Sequence, residues 1–133
     1  MSPVKKEEIL KWFEKADNDI ITAKKSIDCP PIVLDSACFH CQQAIEKYLK
    51  AYILYQGKDI KKTHNINFLK DTCTEYDPDF ENFDFKELSV FAVDIRYPDD
   101  SLVPTLDEAK EYIQLAEEIK ELVLKKVIFT LNP

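Results

Sequence analysis

The chain of 133 residues holds one glycine, Gly57. Hairpins lean on glycine-containing turns, so this scarcity makes a β-sandwich of this length hard to build and leaves an all-α fold as the expectation. It also excludes the glycine-rich phosphate loops of the GxGxxG and Walker types and the GxSxG nucleophile turn, and no HExxH occurs. Arginine is as scarce: Arg96 stands alone, and the other seventeen of the 18 basic residues are lysines. There are two histidines, His40 and His64. No run approaches the roughly 18 apolar residues of a membrane span, and the opening MSPVKKEEILKWFEKAD lacks the apolar core and cleavage site of a signal peptide. A cytoplasmic protein without membrane association is expected.

Acids outnumber bases, 25 to 18, for a net charge of −7. Proteins that grip duplex nucleic acid through its phosphates show the opposite balance, so any such contact here is local. Lys58, Lys61 and Lys62 beside His64, and the pair Lys47 and Lys50, are the basic candidates, with solvated surface as the plain alternative. Four cysteines, Cys29, Cys38, Cys41 and Cys73, arrive without a secretory signal, so disulfides are not expected. Cys38, His40 and Cys41 are close in sequence, but structural zinc needs a second ligand pair, and His64 and Cys73 have no finger-like spacing. No metal or cofactor is therefore expected, and the cysteines read as helical core.

What is present is the material of one globular domain, with 45% hydrophobic and 11% aromatic residues, a size that suits a single core. We assign residues 1–133 to one domain, its core about 6–127. Ile9, Trp12, Phe13, Ala16, Ile20, Ala23 and Ile27 recur every three or four residues, which predicts a helix from Lys6 to Ile27. Cys29-Pro30-Pro31 ends it. A second helix from Ile32 to Tyr55 carries a wide apolar stripe, closed by Gly57, and the two should pair as an antiparallel hairpin. Thr63 is a candidate N-cap for a short third helix with Ile66, Phe68, Leu69 and Cys73. A fourth is expected over Phe85–Asp94, stopped by Tyr97-Pro98-Asp99-Asp100. The last runs from Thr105 to Ile128, with Thr105 and Glu108 in the capping-box pattern. The expectation is an up-and-down bundle of about five helices.

On the second helix His40, Gln43, Lys47 and Lys50 are spaced 3, 4 and 3, one polar line with Glu46 beside it. A solvated face held by intrahelical pairs would also produce it, although His and Gln are poor choices for mere solubility. His64, at the start of the third helix, is either structural or part of a site. A lone arginine in Ile95-Arg96-Tyr97-Pro98 suits a bidentate bond to carboxylate or phosphate, or an internal salt bridge. The apolar residues of the last helix and of Val127-Ile128-Phe129-Thr130-Leu131 exceed what one helix face needs, which points to a homodimer.

Three segments together resemble the HEPN family: Trp12-Phe13-Glu14-Lys15-Ala16-Asp17 with Asp19 and Ala23; Ala37-Cys38-Phe39-His40-Cys41-Gln42-Gln43-Ala44-Ile45-Glu46-Lys47-Tyr48-Leu49-Lys50-Ala51 followed by Thr63-His64-Asn65-Ile66; and Asp94-Ile95-Arg96-Tyr97-Pro98-Asp99. The middle segment is the specific one. The resemblance implies a bundle of about five helices that often dimerises and is often paired, as toxin and antitoxin, with a minimal nucleotidyltransferase. It also implies metal-independent ribonucleases in many members, whose site has a histidine four to six residues after an arginine. No histidine follows Arg96, so that motif is absent. What the resemblance then implies is the branch proposed to bind nucleotides, with His40, Gln43, Glu46, Lys47, Lys50, His64, Arg96 and Tyr97 as its polar residues. A ribonuclease in which His64 or His40 stands in for the missing histidine is the alternative.

Overall fold

The computed structural model describes residues 3–92 and 103–128. Four α-helices lie in them: α1 (Pro3–Asp28), α2 (Leu34–Tyr55), α3 (Ile66–Tyr76) and α4 (Leu106–Lys126). No strand occurs among the described residues.

The prolines at 30 and 31 end α1, and the turn to α2 is closed by a bond from the Val33 N–H to the Ser26 carbonyl (2.8 Å) and by the Ser26 and Ser36 hydroxyls, 3.0 Å apart. The cross-helix pairs descend on one helix as they climb on the other: Ser26 with Ser36, Asp19 with His40 and Lys47, Trp12 with Lys50. That order makes α1 and α2 the expected antiparallel hairpin. Of the 22 residues of α2, 14 are buried, because α1, α3 and α4 all pack against it. It is therefore the central helix. Its interior includes Ile45, Tyr48, Leu49 and Tyr52, the residues that gave it so wide an apolar stripe. Gly57 follows it at φ +85°, the left-handed region where a side chain is strained.

Two expectations need correction. The N-cap of α3 is Asn65, whose side chain accepts the Phe68 N–H (3.1 Å), whereas the Thr63 hydroxyl accepts the Asn65 N–H (3.1 Å) one turn earlier. The expected helix over Phe85–Asp94 is, as far as residue 92, a 3₁₀ turn over Leu88–Phe91. Lys86 at φ +51° interrupts any α-helix there. The spacing of three between Phe85, Leu88 and Phe91, all buried, suits the three-residue repeat of a 3₁₀ turn. That turn packs against α2. A second 3₁₀ turn, Pro78–Asn82, inserts Phe80 against Tyr52, ring centroids 4.7 Å apart. The bundle thus has four α-helices and two short turns among the described residues where about five helices were expected. Asp94 and the stop at residues 97–100 lie outside them.

α4 begins as its sequence dictates: the Thr105 hydroxyl accepts the Glu108 N–H (3.1 Å) and the Glu108 carboxylate accepts the Thr105 N–H (3.0 Å). Near its end the Lys126 ammonium lies 2.7 Å from both Asp77 and Asp79, fixing it to the turn after α3. No helix of the described residues is long and apolar enough to cross a membrane.

Candidate functional site

The polar residues of α2 are not a solvated face. They divide into two clusters, one toward α1 and one toward the start of α3, and each contains one of the two histidines.

In the first, Asp19 projects from α1 into the helix interface, a buried acid. One of its oxygens lies 2.8 Å from His40 Nδ1 and the other accepts from the Lys47 ammonium. His40 and Lys47 are seven residues apart, two turns of α2, so one carboxylate spans them. Phe39 meets the His40 ring edge-on at 5.0 Å.

In the second, Glu46 is the buried carboxylate, 4% exposed, and it is shared in the same way. His64 Nδ1 lies 2.9 Å from one oxygen and the Lys50 ammonium 3.0 Å from the other. Lys50 is itself only 8% exposed, and its ammonium sits 5.8 Å above the Trp12 ring of α1, a second neighbour suited to a cation. Gln42, fully buried, donates to the His64 carbonyl (2.8 Å) and accepts from Gln43 (3.1 Å). The backbone and the ring of His64 are both held from α2. The ring nevertheless stays 66% exposed.

The geometry repeats. Each histidine presents Nδ1 to a buried carboxylate whose other oxygen is held by a lysine. A carboxylate can only accept, so Nδ1 carries the proton, and in the neutral form of the ring the lone pair is on Nε2. His64 also lines an open cleft, together with Asn65, Asn67, Ser89 and Ala92. Amides, a hydroxyl and an oriented imidazole can all form hydrogen bonds with a polar ligand.

His40, Gln43, Glu46, Lys47, Lys50 and His64 therefore all belong to these two clusters. Lys47 and Lys50 are tied to carboxylates, so they serve a ligand only by holding the acids that hold the histidines. Arg96 and Tyr97 lie outside the described residues. Sequence reasoning left Asp19, Gln42 and Trp12 out of the candidate set. Asp19 did leave a signal, since it lies three residues after Ala16 and four before Ala23, an acid on an otherwise apolar face.

The cysteines stand apart from this chemistry. Burial, followed by the nearby Asp35 and Glu108, pushes the Cys38 thiol up to about 12. Burial alone takes Cys73 to about 12, and it is the largest cause of the rise at Cys41. Protonated thiols are poor nucleophiles, and His40 faces Asp19. Tyr48, raised by burial and by its hydrogen bond to Asp17, is a donor that closes the α1–α2 seam.

The family model described as HEPN domain matches residues 9–127. No curated protein and no solved structure matches the chain.

Proposed function

The chain belongs to the HEPN domain family, and from that premise we propose that it is a binding module that takes a nucleotide at the exposed edge of His64 and works with a minimal nucleotidyltransferase in a toxin–antitoxin-type pair. The observation that carries the nucleotide reading is the outward imidazole of His64, fixed by buried Glu46 on a cleft of amides and a hydroxyl. A ring held in one tautomer offers a defined acceptor at Nε2, and the Asn65 and Asn67 amides offer donors and acceptors for a base edge or ribose hydroxyls. By residue type, Arg96 offers the planar fork that suits a phosphate and Tyr97 an aromatic ring.

Thermal melts with a panel of nucleotides test this. A ligand bound only to the folded chain stabilises it by about 2.7 kcal/mol at a hundredfold its dissociation constant. The melting temperature should rise with at least one common nucleotide and stay level in the His64→Ala chain. No rise with any of them at millimolar concentration removes the nucleotide reading. Co-purification of the tagged chain from its native host tests the pairing, which predicts a nucleotidyltransferase in the eluate.

A second reading, a metal-independent ribonuclease, is favoured by the same Glu46–His64 pair, because a carboxylate that orients an imidazole also stabilises it when it accepts a proton. Incubation with RNA in EDTA separates the two. Cleavage lost in His64→Ala supports the enzyme, and equal cleavage by both preparations assigns the activity to a contaminant.

A further inference from the structure

The loop after α2 carries a second surface that shares no lining residue with the His64 cleft. A narrow recess opens between this loop and α3, with Ile53, Phe68 and Leu69 forming its apolar wall and Lys58, Asp59 and Lys61 its rim. We propose that this recess docks an acidic segment of a partner protein, which seats one aliphatic side chain in the recess and lays its carboxylates on the lysines.

Charge argues first. The chain carries −7 overall, and many of its lysines are matched internally: Lys47 and Lys50 to buried carboxylates, Lys120 to Asp17, Lys126 to Asp77 and Asp79. Lys58, Lys61 and Lys62 are all exposed, and none forms an ion pair with another described residue. A positive island on an otherwise acidic surface attracts an anionic partner segment.

Size then separates two anionic partners. The recess has about 20 Å³ of room, on the order of one water or methyl group, so at most the tip of one aliphatic side chain enters it and a nucleobase does not. Phe68 is 40% exposed, with the Lys61 ammonium 5.2 Å over its ring. Apolar surface and positive charge are thus presented together. Asp59 repels acids from its part of the rim, so the partner's carboxylates belong beside Lys58 and Lys61.

The surface is also preformed. Gly57 in its left-handed conformation and the Lys58 N–H to Ile53 carbonyl bond (3.3 Å) fix where the loop leaves α2, and the Thr63 N–H to Lys61 carbonyl bond (2.9 Å) closes its far end. A preformed surface loses little conformational entropy on binding.

Selection from a random linear peptide library on the immobilised full chain tests the proposal, with a Lys58→Glu/Lys61→Glu chain for counter-selection. Enriched peptides should share one Leu, Ile, Val or Met flanked by Asp and Glu. A synthetic peptide of that sequence, followed by fluorescence anisotropy, should bind at least ~tenfold more weakly to Lys58→Glu/Lys61→Glu and to Phe68→Ala, and more weakly at high salt. Melts of both variants check that they fold, and Lys58→Ser/Lys61→Ser replaces the double reversal if it does not. Enrichment of no peptide, peptides without the acidic–aliphatic pattern, or binding that survives the lysine substitutions would overturn it. So would saturable binding of hexauridine RNA that these substitutions abolish, which would assign the face to nucleic acid.

Discussion

A charged side chain that loses water must regain its value from partners, and Glu46 shows the arithmetic. It is buried with Lys50 on one oxygen and His64 on the other, and removing one member of such a pair strands the remaining charge at a cost of about 3–5 kcal/mol. Glu46→Gln should therefore destabilise the chain by that order in urea unfolding, because Lys50 keeps its charge and loses its anion. His64→Ala should change stability by less than about 1 kcal/mol, since its ring is mostly exposed, while abolishing the nucleotide-dependent rise in melting temperature. Equal destabilisation by both substitutions would make His64 a structural residue. Arg96→Lys keeps the charge and loses the fork, so nucleotide or partner binding should weaken with little change in melting temperature. A large fall in melting temperature with intact binding would assign Arg96 to the fold. His40, Gln43, Lys47 and Lys50 were legible as a polar line from their spacing on α2, and His64 stood out separately before the third helix. Their partners were not, because Asp19 and Trp12 meet them only through the register of a second helix, and spacing along one helix carries no information about that register.

Among the elements, those with strong local chemistry were the legible ones. α1 and α2 follow their apolar periodicity, and α4 starts on a capping box that both sequence and structure contain. Thr105→Ala should cost roughly 1 kcal/mol, a fall of roughly 3–5 °C in the melting temperature for a chain of this size. No measurable fall would mean that packing alone fixes the start of α4. The segment around Phe85–Phe91 misled for a physical reason. Its apolar residues recur every three positions, which fits both an α-helix face and a 3₁₀ turn, and the left-handed backbone at Lys86 that decides between them carries no glycine to announce it. The cap of α3 was misplaced by two residues because Thr63 and Asn65 are both capable caps.

At the scale of the whole molecule, the buried thiols make stability depend on alkaline pH. In the unfolded chain a thiol titrates near 9.0, whereas Cys38 and Cys73 in the fold hold their protons to about 12. Their contribution is complete below pH 9 and is lost as pH rises toward 12, at up to ~1.4 kcal/mol per pH unit for each group. The urea midpoint should fall steeply above about pH 9, and less steeply in Cys73→Ala; a flat profile would mean that these thiols titrate as exposed ones do. We also expect the chain to self-associate as a homodimer, an expectation supported by Leu124 and by Ile128, which is 69% exposed, at the end of α4. Light scattering at micromolar concentration should give twice the chain mass, and a monomer would contradict it. The central claim, that buried Glu46 presents His64 to a nucleotide, is tested most directly by imidazole NMR, because the chain has two histidines and each serves as the other's control. Long-range proton–nitrogen spectra should show the neutral form of His64 with its proton on Nδ1. Nucleotide titration should move the His64 signals and leave those of His40 in place. Signals that stay fixed at millimolar nucleotide, or that move for His40 alone, would contradict it.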